Sequence, residues 1–261
     1  MPVLVDTLAW AIRKRILRGK LRKIALRAMS GVAYEICIEG VRLRCYLDDN
    51  SVERGIFIRG LDAGNDALRQ VFYGLKPGNI FVDIGANAGI FTAMGAKQVG
   101  PRGCVIAIEP APEMVDRLRA NVAANGFTNV AVFQMAVGST SGVGTLHLHP
   151  RGHGQSSLAF GSMGGASIEV EVAPLADIIT AAGVDRIDYL KIDIEGFEDR
   201  ALLPFIQQAP SALWPKQIFI EIAQHKAWKE DCVATLLGVG YAEAWRSKTD
   251  ILLARTEYTA Q

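Results

Sequence analysis

One stretch restricts the fold of this chain more than any other: Phe81-Val82-Asp83-Ile84-Gly85-Ala86-Asn87-Ala88-Gly89-Ile90-Phe91-Thr92. It reads as a short apolar strand ending on a carboxylate, then a tight glycine turn, then the first turn of a helix. An α/β sheet builds a nucleotide-type cofactor pocket at the carboxyl end of a strand in this way. A dinucleotide would need G-x-G-x-x-G, because the backbone must approach a pyrophosphate. Here the pattern is Asp83-x-Gly85-x-x-x-Gly89, with Asn87 in place of the middle glycine. A carboxylate at the strand end sits badly beside phosphates and well beside a cationic amine. S-adenosylmethionine (SAM) offers that amine, with a carboxylate, a sulfonium, a ribose and an adenine, and no phosphate. Gly85 permits the turn without a Cβ clash. Amides at the helix N-terminus, near Ala88 and Gly89, can receive the ligand carboxylate.

Glu109 supports this reading. It ends a second apolar strand, Val105–Ile108, lies 26 residues after Asp83, and is followed by Pro110. A carboxylate so placed can accept both hydroxyls of a ribose.

From Asn79 onward, strand candidates at 80–83, 104–109, 130–136, 188–194 and 217–222 alternate with helical segments. Met114, Leu118 and Val122 mark one helix, which Gly126 ends. Such alternation predicts an α/β fold with a mostly parallel sheet covered on both faces. The tail, 240–255, reads as two strands joined at Ser247–Asp250, an antiparallel hairpin closing the sheet edge. Upstream, 34–48 alternates around Glu39-Gly40 as a β-hairpin, and 65–75 reads as a helix. We divide the chain into a basic helical arm (1–30), a hairpin and helix extension (31–75) and a core (76–261). Segments 46–64 and 151–166 read as loops that shape the pocket. The second holds five glycines, and long loops of this kind often act as lids.

The arm holds eight basic residues between Arg13 and Arg27 and one acid, Asp6, with apolar positions at helical spacing and Gly19 as a break. Residues 10–27 read first as a solvated helix face packed on the domain; contact with an anionic membrane surface is the alternative reading. The whole chain carries 28 basic and 27 acidic side chains, which gives no global case for a nucleic-acid partner. The four cysteines (Cys37, Cys45, Cys104, Cys232) show no zinc spacing. Cys37 and Cys45 could face each other across the hairpin, though free thiols fit better, and Cys104 and Cys232 look buried. With no spanning apolar run and no secretory signal, the expectation is a cytoplasmic protein, peripheral at the inner membrane surface if the arm binds there.

Several segments, in order, resemble the FkbM family of SAM-dependent methyltransferases. They are Phe81–Thr92, Ile108-Glu109-Pro110, Asn125–Val130, Ala136-Val137-Gly138 and, most specifically, Leu190-Lys191-Ile192-Asp193-Ile194-Glu195-Gly196-Phe197-Glu198. The resemblance covers about residues 34–223. It implies a Rossmann-like class I methyltransferase with seven strands, the last antiparallel. It also implies methyl transfer to a hydroxyl of a sugar, glycan or polyketide-like small molecule. Carried over by position, it places cofactor contacts at Asp83, Gly85, Ala86, Asn87, Gly89, Glu109 and Pro110, with Met135 and Ala136 on the adenine side.

Methyl transfer to an alcohol needs alignment and a proton acceptor. Asp193, at the end of the fourth core strand, is the first candidate for that acceptor. Glu195, two residues on, would share its face if the strand continues. Lys191 could pair with either. The alternative is that both acids only cap the next helix. Glu221 should reach the same sheet edge, with His225 close behind, and His153 in the glycine-rich loop could swing over the pocket as a base. His147, His149 and His153 are spaced for a metal, but no acidic or cysteine ligand is near, and no metal is expected. Magnesium between Asp193 and Glu221 is open in principle. Competing readings are an NAD(P)-dependent oxidoreductase, a nucleic-acid methyltransferase and a non-catalytic partner that keeps the fold. The acceptor's identity and the oligomeric state are not written in the sequence.

Overall fold

A computed structural model of the chain describes residues 7–8, 10–12, 14, 16–29, 31–47, 49–62, 66–148, 157–158 and 166–258. Its centre is a seven-stranded sheet. The strands are β3 (Ile80–Ile84), β4 (Cys104–Ile108), β5 (Val130–Phe133), β9 (Tyr189–Ile192), β10 (Gln217–Glu221), β11 (Tyr241–Arg246) and β12 (Asp250–Arg255). Their spatial order is β11-β12-β10-β9-β3-β4-β5. β12 alone runs against the direction of the other six strands. β3 and β9, at the middle, are buried along their whole length, as strands covered on both faces must be. Strands β4 and β5 are laid down on one side of β3 and the later strands on the other, so the strand order switches between the parallel neighbours β3 and β9. A crevice opens at the carboxyl ends of strands at such a point.

The covering helices follow from the sequence. The helix Pro112–Ala124 puts Met114 and Leu118 inside, and Gly126 (φ +65°) follows its end. The helix Ile90–Val99 is apolar nearly all round and lies buried against the sheet. Gly89 begins it at φ +79°, and a Cβ there would lie 2.7 Å from Leu118 Cγ, so the position is closed to larger residues by packing.

Upstream, β1 (Ala33–Ile38) and β2 (Val41–Tyr46) form the expected hairpin around Glu39 and Gly40, both at positive φ. That two-residue turn sets the register Tyr34↔Cys45 and Cys37↔Arg42. The two cysteines therefore do not face each other: Cys37 is exposed and Cys45 buried. Cys104 is only half-buried, whereas Cys232 is buried as expected. The arm contributes α1 (Gly19–Ala28), opened by Gly19.

Three further expectations need correction. Segment 46–64 is not a loop. Asn50 accepts from Val52 and Glu53 N–H and starts a helix, α2 (Ser51–Arg59). Segment 130–136 is not one strand, because the chain leaves the main sheet after Phe133. Ala136–Val137 (β6) joins β7 (Gly142–His147) and β8 (Ser167–Ala173) in a separate three-stranded sheet. β9 ends at Ile192, short of the expected 194.

Candidate active site

The carboxyl ends of β3, β4 and β9 form a cleft of about 570 Å3. Its walls include Gly85, Asn87, Glu109, Pro110, Met135 and Ala136, six of the nine positions marked as cofactor contacts, together with Asp193 and Glu195. Two of these come close through backbone alone. A Cβ on Gly85 (φ +74°) would sit 2.0 Å from the Asp193 carbonyl oxygen, so glycine is what lets the β3 turn meet the end of β9. Asn87, at φ +52°, receives an amide hydrogen from Asn50 Nδ2 at 2.6 Å, tying the turn to the start of α2. The sequence pattern did not signal Asn50.

Glu109 is buried. One oxygen accepts from Asn87 N–H at 2.8 Å and the other from Ala111 N–H at 2.9 Å. These two bonds hold its carboxylate at the cleft wall. Burial pushes its pKa up to about 7, against the pull of the two amides.

Three of the nine positions lie behind the wall instead. Ala86 and Gly89 serve packing. Asp83 is fully buried and pairs within the protein, so its expected amine partner is already supplied. Thr92 donates to it at 2.7 Å, and Lys191 Nζ lies 3.4 Å away. Lys191 is itself buried, donates to the Gly85 carbonyl at 2.8 Å and stands 3.8 Å from Asp193. Lys191 thus stitches β3 to β9 beneath the cleft. Burial works against its charge, but the nearby carboxylates, Asp83 first, raise its pKa on balance.

Asp193 projects from the end of β9 and is about one-third exposed. Glu195 does not extend the strand; it sits in the following turn at φ +55°. Neither acid caps the next helix (Glu198–Gln208). That helix start has no side-chain cap; Glu198, its first residue, instead reaches back and accepts from Ile194 and Gly196 N–H in the turn before it. Freed from capping, Asp193 and Glu195 converge with Glu221, and oxygens of the three lie within 4.8 Å of one another. Asp250 pairs with Glu221 across β10 and β12. The sequence reading missed Asp250, since only the strand register brings it here. Burial, then repulsion from Asp193, pushes Glu195 up to about 8. Burial, then Asp193 and Glu195, pushes Glu221 up to about 10. One Glu221 oxygen is buried without a hydrogen-bond partner.

A crowd of carboxylates like this one favours a cationic ligand or a divalent ion and repels phosphate. The acids at the end of the first cleft disfavour a pyrophosphate, which counts against the dinucleotide reading. The group that fits has hydroxyls for Glu109, positive charge for the acids and apolar area for Met135, Ile108 and Leu158; SAM has all three.

His147 and His225 line neither cleft. His147 Nδ1 lies 2.9 Å from Ser167 Oγ. His225 is exposed, with Nδ1 2.7 Å from the Ile222 carbonyl. His149 and His153 lie outside the described residues, as does most of 151–166. From that segment Ser157 and Leu158 line the cleft, and Ser157 donates to the Glu195 carbonyl at 2.8 Å.

A second cleft, about 740 Å3, opens on the other side of Asp193. Ser51, Val52 and Arg59 of α2 line it, as do Phe91, Glu221 and Asp250. Asp193 alone among the described lining residues belongs to both clefts.

Residues 83–248 match the Methyltransferase FkbM domain. The chain is 30% identical over 214 residues to the 31-O-demethyl-FK506 methyltransferase FkbM of Streptomyces tacrolimicus, covering 70% of this chain and 79% of that one. It is 32% identical over 153 residues to the methyltransferase sdnD of Sordaria araneosa, covering 47% of this chain and 59% of that one. A crystal structure of methyltransferase FkbM from Methylobacillus flagellatus superposes with a TM-score of 0.46 at 15% identity, over 96% of this chain and 57% of that chain. The chain belongs to the FkbM family of SAM-dependent methyltransferases.

Proposed function

We infer that the protein transfers a methyl group to a hydroxyl oxygen of a small molecule or glycan. The observation that carries this reading is the position of Asp193 between the two clefts. SAM, when bound, supplies a methyl on a sulfonium. The work left to the chain is alignment and proton removal. Glu109 holds the ribose. The second cleft holds the acceptor, and Asp193 accepts the hydroxyl proton as the new bond forms. Lys191, anchored to Asp83 and the Gly85 carbonyl, fixes the position of Asp193. Glu195 flanks Asp193 on the cofactor side and Glu221 on the acceptor side, and their raised pKa values keep both largely protonated near neutral pH, so Asp193 is left as the proton acceptor.

Cofactor binding tests the first half. Two hydrogen bonds from the ribose to a charged acceptor are worth about 1.5–3 kcal/mol each. Glu109→Gln is therefore expected to weaken SAM binding at least tenfold in calorimetric titration. The ionised form of Glu109 is the accepting form, and its pKa sits near 7. Affinity should rise from pH 6 to pH 8 and level off above, with protons released on binding below pH 7. Unchanged affinity in Glu109→Gln would remove Glu109 from the site.

The arm supports a membrane-facing placement of the same enzyme. No helix among the described residues is long and apolar enough to cross a membrane. Yet Trp10, Ile16, Leu21 and Ile24 are each more than half exposed, beside exposed Lys20, Lys23 and Arg27. Apolar and basic side chains on one short segment suit the interface of an anionic bilayer. The full chain should sediment with vesicles containing anionic lipid, and Leu21→Gln/Ile24→Gln should sediment less. Equal sedimentation of both proteins would count against the membrane contact.

A further inference from the structure

The second cleft does not end at α2. It continues into a groove between α2 and the arm, and the two share Ser51, Gly55 and Arg59 as a common wall. Gly55 carries no side chain, which keeps that wall low. Four arginines face the groove: Arg18 and Arg22 from the arm, Arg54 and Arg59 from α2. Among the described residues lining it there is no carboxylate. Ile12, Leu17 and Ile58 give the groove an apolar base.

Charge is therefore sorted along one continuous path. The end at Asp193 carries Glu221 and Asp250, and the end at the arm carries only arginines. Arg59 stands where the two spaces meet. Such a path reads a molecule that is anionic at one end and presents a hydroxyl at the other. Arginine also differs from lysine here. Its planar fork makes paired hydrogen bonds to phosphate oxygens, and it holds its charge when half-buried. Arg54 is half-buried and already oriented, since it donates to the Leu47 carbonyl at 3.2 Å. Less side-chain freedom is then lost when an anion binds.

Resting on the reading of Asp193 as the point of methyl transfer, we propose that the acceptor carries a phosphate or diphosphate group, and that this group binds in the arginine-lined groove. The family assignment does not specify this chemistry. Two kinds of molecule share it: a water-soluble sugar phosphate or nucleotide sugar, and a sugar linked through phosphate to a lipid. The amphipathic arm forms one side of the groove, so either source can reach it.

The test uses the full chain saturated with S-adenosylhomocysteine and titrated with inorganic pyrophosphate. Binding is expected, and it should weaken with added salt. Arg22→Gln/Arg59→Gln should weaken it at least tenfold, with an unchanged melting temperature and unchanged S-adenosylhomocysteine affinity. Arg54→Lys, which keeps the charge and loses the fork, should weaken it severalfold. UDP-glucose and neutral vesicles carrying a polyprenyl phosphate are then run as competitors against pyrophosphate. Displacement by the first marks a soluble acceptor, and displacement by the second a lipid-linked one. No binding of pyrophosphate by the wild-type protein would overturn the proposal, as would equal binding by the double variant. Loss of S-adenosylhomocysteine binding in the wild-type protein would instead overturn the reading of the first cleft, so the two failures are distinguishable.

Discussion

Asp193→Asn is expected to lower methyl transfer by about 10²- to 10⁴-fold, the usual worth of a positioned general base. The change is nearly isosteric and removes only the capacity to take a proton. SAM affinity should move by no more than a few-fold, because Glu109 and the apolar wall at Met135 stay in place. The assay is transfer of labelled methyl from SAM to a panel of hydroxylated sugars, glycans and polyketide-like alcohols. Glu195→Gln and Glu221→Gln serve as comparisons. Both lie in the same acidic group, but neither lines the two clefts together, so their losses should be smaller. Full activity in Asp193→Asn would remove the assignment.

Lys191→Met should be strongly destabilising. Lys191 and Asp83 are both buried, 2% and 0% exposed. Removing the lysine leaves a carboxylate in the core with Thr92 as its remaining side-chain partner. Breaking one side of a buried ion pair costs about 3–5 kcal/mol. At about 2–4 °C per kcal/mol for a chain of this size, the melting temperature should fall by roughly 6–20 °C. The Gly85 carbonyl also loses its donor, so the turn beneath the cofactor cleft should loosen and SAM affinity should drop with stability. Asp83→Asn/Lys191→Met removes both charges and should recover part of the loss, since the uncompensated charge is the larger share of the cost. A double variant no more stable than Lys191→Met would show that the ion pair is not what holds β3 to β9.

These two residues show where a sequence speaks and where it falls silent. The apolar run into Asp83, the glycines at 85 and 89, and the run into Glu109 are local patterns. Local patterns report burial and turn geometry, so the strand, the turn and the helix start were all legible. The alternation after Asn79 likewise foretold a parallel sheet, and Ser247–Asp250 the closing hairpin. Partner choice is not local. Asp83 looked like a ligand for an amine, and only the parallel pairing of β3 with β9, which sets Asp83 opposite Lys191, shows that the protein supplies the amine itself. Asp250 joins the acidic group through its register with Glu221, and no spacing in the chain announces that. Helix α2 has the sequence look of a loop because Gly55 and Arg54 interrupt its apolar pattern, and its cap, Asn50, is an ordinary turn residue as well. The hairpin cysteines were separated by the two-residue turn, and a shift in register flips which face a side chain takes.

Methyl transfer at Asp193 requires one arrangement: cofactor on one side of Asp193, hydroxyl acceptor on the other. A crystal structure with S-adenosylhomocysteine bound tests it most directly. The expected complex has the ribose hydroxyls on Glu109, the adenine against Met135 and Ala136, and the sulfur at the Asp193 end of the cleft, facing the space lined by Arg59 and Glu221. A ligand that leaves Glu109 untouched, or whose sulfur is walled off from that second space, would contradict it.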